Sequence, residues 1–300
     1  MIKYSSINQF RHAVKKARTF YDSPTVTYIG TVKLHGTNSS VIIKADGNIV
    51  TQSRNRILTV DSDNAGFARF IDESIGHQTL VDWRRDNVAS DGRDLIIYGE
   101  WCGQGIQKGV GINNLPKMFV IFQVGFVNDE YIEDIAEDDD EYVENVIKWS
   151  IQDKMAVSNL PQGFYNIYDF PYFEVEIDFN RPDSVNNDII EMTMSVENEC
   201  PVYKQLANET GTGEGIVWTP YKSSIDNILF DSGMMFKTKG EKHSATKVKT
   251  LAPVDVERMA TINEFIDATV TETRINQAIE YIVEMGLEPS EKTTGDVIRW

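Results

Sequence analysis

The chain is short of positive charge: 29 Lys and Arg stand against 46 Asp and Glu, a formal net charge of −17. That deficit excludes the broad basic surface by which many proteins coat nucleic acid. Only two cysteines, Cys102 and Cys200, occur in 300 residues. They form no disulfide framework and lack the spacing of a thiolate metal site. No apolar run reaches the roughly eighteen residues of a membrane helix, and the N-terminus has no apolar signal-peptide core. The expectation is a soluble, cytoplasmic protein with no membrane partner. What is present is ample apolar material, 41% of the residues. At this length it supports one large or two moderate domains.

The charge is unevenly spread. Asp129 to Glu144 holds ten acidic residues, which reads as an exposed loop leading into a helix, because no interleaved glycines favour a metal loop. By contrast, Lys237, Lys239, Lys242, Lys247 and Lys249 face a single acid, Glu241, with His243 among them. A local basic groove on an acidic body is therefore expected, and its binding would be sensitive to salt.

Patterning predicts a short helix within residues 1–20 and strands through about residue 60, with Asp46-Gly47-Asn48 as a hairpin turn. Ala65 to Arg84 reads as mainly helical. Leu95 to Phe126 is strand-rich and broken by a glycine segment. Tyr142 to Met155 reads as a helix, Phe173 to Phe179 as a strand, and Ile189 to Asn208 as a helix interrupted at Pro201. Ile216 to Lys239 returns to strands. Beyond Pro253, Met259, Ile262, Ile266 and Val270 recur at helical spacing, as do Ile275, Ala278, Ile279, Ile282 and Val283. These assign 1–250 to one domain and 251–300 to a small helical one.

The densest chemistry lies in Lys33-Leu34-His35-Gly36-Thr37-Asn38. β-branched residues on both sides place Lys33 at a strand end before a sharp reversal at Gly36. An amine fixed there attacks phosphorus if neighbouring groups cradle the phosphates and remove its proton. Read alone, a lysine before a turn glycine is an exposed strand residue. Further strings follow in order. Ser53-Arg54-Asn55-Arg56 lies about twenty residues on, and Leu95 to Trp101 carries Gly99-Glu100. Next come Gly103 to Lys108, Met118 to Phe122, Glu214-Gly215-Ile216-Val217, and Phe236-Lys237-Thr238-Lys239.

Together these strings resemble the motifs of ATP-dependent RNA ligases of the RNA ligase 2 type, found in phages and in trypanosome editing ligases, over roughly residues 1 to 245. The resemblance implies an α+β nucleotidyltransferase fold, with ATP-grasp-like antiparallel sheets and flanking helices, plus the helical C-terminal domain. It also implies RNA repair chemistry through a lysyl-AMP intermediate. Lys33 is the implied nucleophile, with His35, Glu214, Lys237 and Lys239 completing the catalytic set. ATP is held by Lys33, Arg54, Glu100 at the ribose, Phe119 against adenine, Lys237 and Lys239. Mg²⁺ or Mn²⁺ falls to Glu214. Asn38, Arg54 and Lys242 serve the nucleic acid, and the partners are RNA ends or a nicked RNA duplex met by a monomer.

Residue chemistry agrees. Lys237 and Lys239 alternate, so on a strand both face one side. There they are able to hold phosphates and lower the pKa of a third lysine. Fixed cations with a metal supply transition-state stabilisation, and Arg54 offers a planar fork for a phosphate. Phe119 sits in a run apolar enough for core packing as well. Two positions depart from the pattern: Val32 stands where many relatives carry Glu, and Ser53 where a lysine is common. The alternatives are a DNA ligase or capping enzyme of the same superfamily, against which His35 and Asn38 speak, and a non-catalytic RNA-end-binding module.

Overall fold

The computed structural model describes residues 1–19, 25–88, 92–127, 146–149, 158–221, 232–243, 275 and 279. The chain divides into two compact units, Met1–Ala252 and Pro253–Trp300. In the second, only Ile275 and Ile279 are described, and both are helical. The rest of the expected C-terminal domain, the acidic block, Lys247 and Lys249 lie outside the described residues.

The first unit is a mixed helix-and-sheet body built on two sheets. One has four strands: β1 (Thr25–Lys33) pairs on its two edges with β9 (Phe173–Asp178) and β10 (Gly215–Pro220), and β10 pairs with β11 (Phe236–Lys239), all antiparallel. The other has seven strands. Its path runs β4 (Ile57–Leu58), β3 (Ile49–Ser53), β2 (Thr37–Ile43), β5 (Leu95–Cys102), β6 (Met118–Val127) and β7 (Val146–Trp149). A short β8 (Phe164–Asn166) adds to β6 in parallel, while every other pair in this sheet is antiparallel.

Most of the expected elements are present. Helix α1 (Phe10–Ala17) packs Phe10 against Phe236 with ring centroids 4.8 Å apart. A turn at Asp46–Gly47 joins β2 to β3, closed by the Lys44 amide donating to Asn48 O. α2 (Phe67–Arg69), a π-helical turn over Phe70–Ile75 and α3 (His77–Asn87) fill the helical stretch, with Gly76 parting the last two. α4 (Asn186–Asn198) and α5 (Pro201–Ala207) meet at Pro201. That proline opens α5, where a missing N–H costs nothing.

Two expectations are corrected. Val146–Trp149, inside the stretch read as a helix, is strand β7, hydrogen-bonded along Val124–Val127 of β6. The open edge of β6 offers backbone partners to a segment rich in strand formers, and pairing outweighs a weak helical periodicity. Phe119 is the second. In β6 it shares a row with Trp101 and Thr37, and its ring is fully buried among Phe67 and Phe164. A ring in that position packs the core of the seven-stranded sheet and has no face left for a base.

Phe119 is therefore expected to behave as a core residue. Phe119→Ala should lower the free energy of urea unfolding by about 3–5 kcal/mol, the usual cost of a large aromatic cavity. A loss of less than about 1 kcal/mol would place the ring outside the core.

Candidate active site

The Lys33–Asn38 segment is where the chain leaves one sheet for the other. Lys33 is the last residue of β1 and Thr37 the first of β2, and the two strands do not pair with each other. The reversal read at Gly36 is thus a crossing between sheets and not a hairpin. It requires glycine: a Cβ on Gly36 would lie 2.3 Å from the Trp101 carbonyl oxygen. The close approach lets the Gly36 amide donate to Glu100 Oε1 at 3.0 Å.

Register does the rest. Lys33, Gly215 and Lys239 lie in one row across β1, β10 and β11. Neighbours in a row share a face of the sheet. Gly215 has no side chain, so both lysines reach the residue before it. Lys33 Nζ is 2.7 Å from Glu214 Oε2, and Lys239 Nζ is 2.8 Å from Oε1. His35 Nδ1 comes within 3.2 Å of Oε2. Glu214 is buried, at 2% side-chain exposure. Burial alone would push its carboxyl up, but Lys33 and Lys239 outweigh it and hold the group below its ordinary value.

The next row on the same face is Thr31, Val217 and Lys237. Across from it, Asn38, Glu100 and Val120 form a row of the seven-stranded sheet. These two rows line a cavity of about 430 Å³, to which Lys33, Arg54, Tyr4 and Tyr168 also contribute. The volume suits a nucleotide-sized ligand. The Lys237 ammonium is disfavoured by burial and by the nearby charges of Lys33, Lys239 and Arg54, so its pKa falls. Burial pushes the His35 imidazole down, with Lys33 and His243 adding to the effect against the pull of Glu214. Arg54, exposed at the rim, donates to Ser6 Oγ at 2.6 Å.

The structure therefore brings together Lys33, His35, Asn38, Arg54, Glu100, Glu214, Lys237 and Lys239. The nearest partner of Lys33 is a carboxylate, whereas the sequence led to cations around its amine. Lys242 is exposed in the turn after β11 and does not line the cavity. Phe122 is the aromatic that the sequence reading passed over. β6 carries one extra residue between Ile121, opposite Gly99, and Gln123, opposite Tyr98. Phe122 lies two residues beyond Val120 and so shares its cavity side, where its ring meets Tyr4 edge-on at 5.0 Å. Alternation alone puts Phe119 and Phe122 on opposite faces, but no local signal in Met118–Phe122 marks which face meets the cavity.

Two largely antiparallel sheets face across a cavity whose cations, Lys33, Lys237 and Arg54, suit a compact anionic ligand. The chain belongs to the RNA ligase family, whose model matches residues 26–239. Among solved structures, it is similar to a variant of Naegleria gruberi RNA ligase with ATP and Mn, at 16% identity and a TM-score of 0.47. It is also similar to the same organism's RNA ligase with PPi, at 15% identity and a TM-score of 0.48. Each alignment covers 81% of this chain and 57% of the other, so the chain spans little more than half the length of those structures. No curated protein matches.

Glu100 yields a prediction. It is half-buried, and desolvation pushes its carboxyl up to about 7, against the pull of Lys33 and the Gly36 amide. A carboxyl whose folded value is raised contributes stability fully below its unfolded value and loses it as pH rises through the folded one. Wild-type stability relative to Glu100→Gln should therefore decline from about pH 5 to about pH 8. Parallel stability curves across that range would refute the shift.

Proposed function

We propose that the chain is an ATP-dependent RNA ligase, with residues 1–250 as the catalytic domain and 251–300 as a small helical domain of a cytoplasmic monomer. The fold is read as the nucleotidyltransferase type, with ATP-grasp-like sheets. Family membership supports the class of reaction. The observation that carries the mechanism is the convergence of Lys33, which lines the cavity, and Lys239 on buried Glu214.

In this reading Lys33 Nζ leaves Glu214, loses a proton and attacks the α-phosphorus of ATP. An N–P bond forms, the bond to the bridging oxygen breaks, and pyrophosphate departs. A 5′-phosphate oxygen of the RNA then displaces Lys33 from that phosphorus. Finally a 3′-hydroxyl attacks the RNA 5′-phosphorus, forming the phosphodiester and releasing AMP. Lys237 and Lys239 hold phosphate oxygens and stabilise the charge that develops on them. Glu100 accepts from the ribose hydroxyls, and its Gly36 bond keeps it oriented. Phe122, in the place first given to Phe119, offers its ring to adenine. His35 stands by Glu214 during the transfers, while Asn38, Arg54 and Lys242 engage the RNA.

Among the described residues, no group of three or more His, Cys, Asp or Glu side chains could hold a metal by itself. Glu214 fits a Mg²⁺ or Mn²⁺ ion that takes its remaining oxygen ligands from ligand phosphates and water. Such an ion supplies charge neutralisation at the phosphates. A non-catalytic end-binding module would gain nothing from burying a carboxylate between two lysines, and this favours turnover.

The test is covalent labelling. With ATP labelled at the α-phosphate, the wild-type chain should acquire label that is lost in acid and retained in alkali, as a lysyl phosphoramidate is, and Lys33→Ala should acquire none. Persistent labelling of the variant would remove Lys33 from the mechanism. Sealing of nicked all-RNA, RNA–DNA and all-DNA duplexes, with GTP as a control, should favour RNA and ATP. Phe122→Ala should raise the KM for ATP by about tenfold or more, in line with one lost aromatic stack, and Phe119→Ala should not do so once its stability loss is offset by cooling.

A further inference from the structure

The turn after β11 brings a second imidazole to His35, and the chemistry above leaves it without a task. Its support begins on α4. Thr193 and Glu197 are one helical turn apart and face β11. Thr193 Oγ1 is 2.7 Å from Thr238 Oγ1, and Glu197 Oε1 accepts the Lys242 amide at 2.8 Å. The Glu197 carboxylate lies so close to Gly240 that a Cβ there would stand 2.1 Å from Oε1. Its side chain is 2% exposed. One amide does not offset the burial of a carboxylate.

The remaining partner is His243. Its Nδ1 is 3.9 Å from Glu197 Oε1, is itself buried, and has no hydrogen bond among the described residues. The ring meets His35 nearly edge-on, with centroids 5.7 Å apart and planes at 66°. On its other side His35 has Glu214 Oε2 at 3.2 Å from Nδ1. A line of side chains thus runs from Glu197 through His243 and His35 to the carboxylate that holds Lys33 and Lys239. The same turn is tied to the site through its backbone, where the Gly240 amide donates to Glu214 O at 3.2 Å and the His243 amide to Gly240 O at 3.2 Å.

We propose that His243, packed beside Glu197, is a positioning residue that holds the His35 ring against Glu214. The proposal rests on the ligase reading above for its catalytic consequence, and on the packing alone for its structural one. His243 is not among the residues that line the cavity, and its ring meets the site at His35. A phenylalanine at 243 preserves the edge-on ring, whereas alanine leaves a gap into which His35 turns.

A double-mutant cycle tests this. Rates of Lys33 labelling and of sealing pre-adenylylated RNA are measured for wild type, His35→Ala, His243→Ala and the double variant. In whichever step His35→Ala slows, His243→Ala should cost about tenfold, the double variant should be no slower than His35→Ala, and His243→Phe should recover most of the loss. Losses that multiply would overturn the proposal, as would a His35→Ala variant that slows neither step. Imidazole NMR provides a readout apart from turnover, since the chain has only four histidines. The His35 ring resonances should shift and broaden in His243→Ala and return in His243→Phe. Unchanged His35 resonances in His243→Ala would also overturn it. If wild type fails to label at all, the ligase reading fails, while the NMR comparison still decides the positioning role.

Discussion

A carboxylate at 2% exposure is expensive unless charge and hydrogen bonds surround it, and Glu214 is where the architecture meets that demand. Two ammonium groups and an imidazole converge on it, each delivered by a different part of the chain. Lys33 ends an inner strand of one sheet, Lys239 ends one of its edge strands, and His35 belongs to the crossing into the other sheet. Removing one lysine leaves the carboxylate underpaired, and removing the carboxylate leaves two ammoniums side by side. The cluster therefore ties sheet register to electrostatics. A slip of one residue between β1 and β10 would carry Lys33 to the opposite face.

The cavity follows from the same crossing. Because β1 and β2 belong to different sheets, the segment between them faces the space where the sheets meet. Polar residues of one sheet thereby oppose those of the other: Thr31 and Lys237 on one side, Asn38 and Glu100 on the other. The opposing charges have opposite settings. Glu214 is held ionised by its lysines, while Glu100, with weaker compensation, titrates near neutrality. Two carboxylates near Lys33 thus differ in charge because their neighbours differ. The net charge of −17 does not conflict with an anionic ligand, since Lys33, Lys237 and Arg54 gather at the cavity while the acidic excess lies elsewhere in the chain.

Much of the site was legible before folding. Lys33, His35, Glu100, Glu214, Lys237 and Lys239 stand in short strings whose order carries a family resemblance, and alternation alone put Lys237 and Lys239 on one face. Alternation puts Phe119 and Phe122 on opposite faces of β6 without saying which face is which. Both lie in the same apolar run, and only the place of β6 in the sheet, with Val120 opposite Glu100, decides which ring faces the cavity. β7 was misread because strand pairing depends on a partner far away in sequence, while periodicity is judged locally. His243 was seen merely as one residue of a basic segment, since its meaning requires Glu197, 46 positions earlier.

The sequence by itself determined the chemical inventory and the residues at which phosphate chemistry is possible, because residue type and alternation are local properties of the chain, while the class of fold came from the family resemblance of its motifs. Tertiary structure alone decided which partner each group has. It set a carboxylate beside Lys33 where cations were expected, turned Phe122 to the cavity in place of Phe119, and brought His243 to His35. Those outcomes depend on strand register and on which face of each sheet meets the cavity. Register is settled by long-range pairing and burial, which no window of neighbouring residues contains.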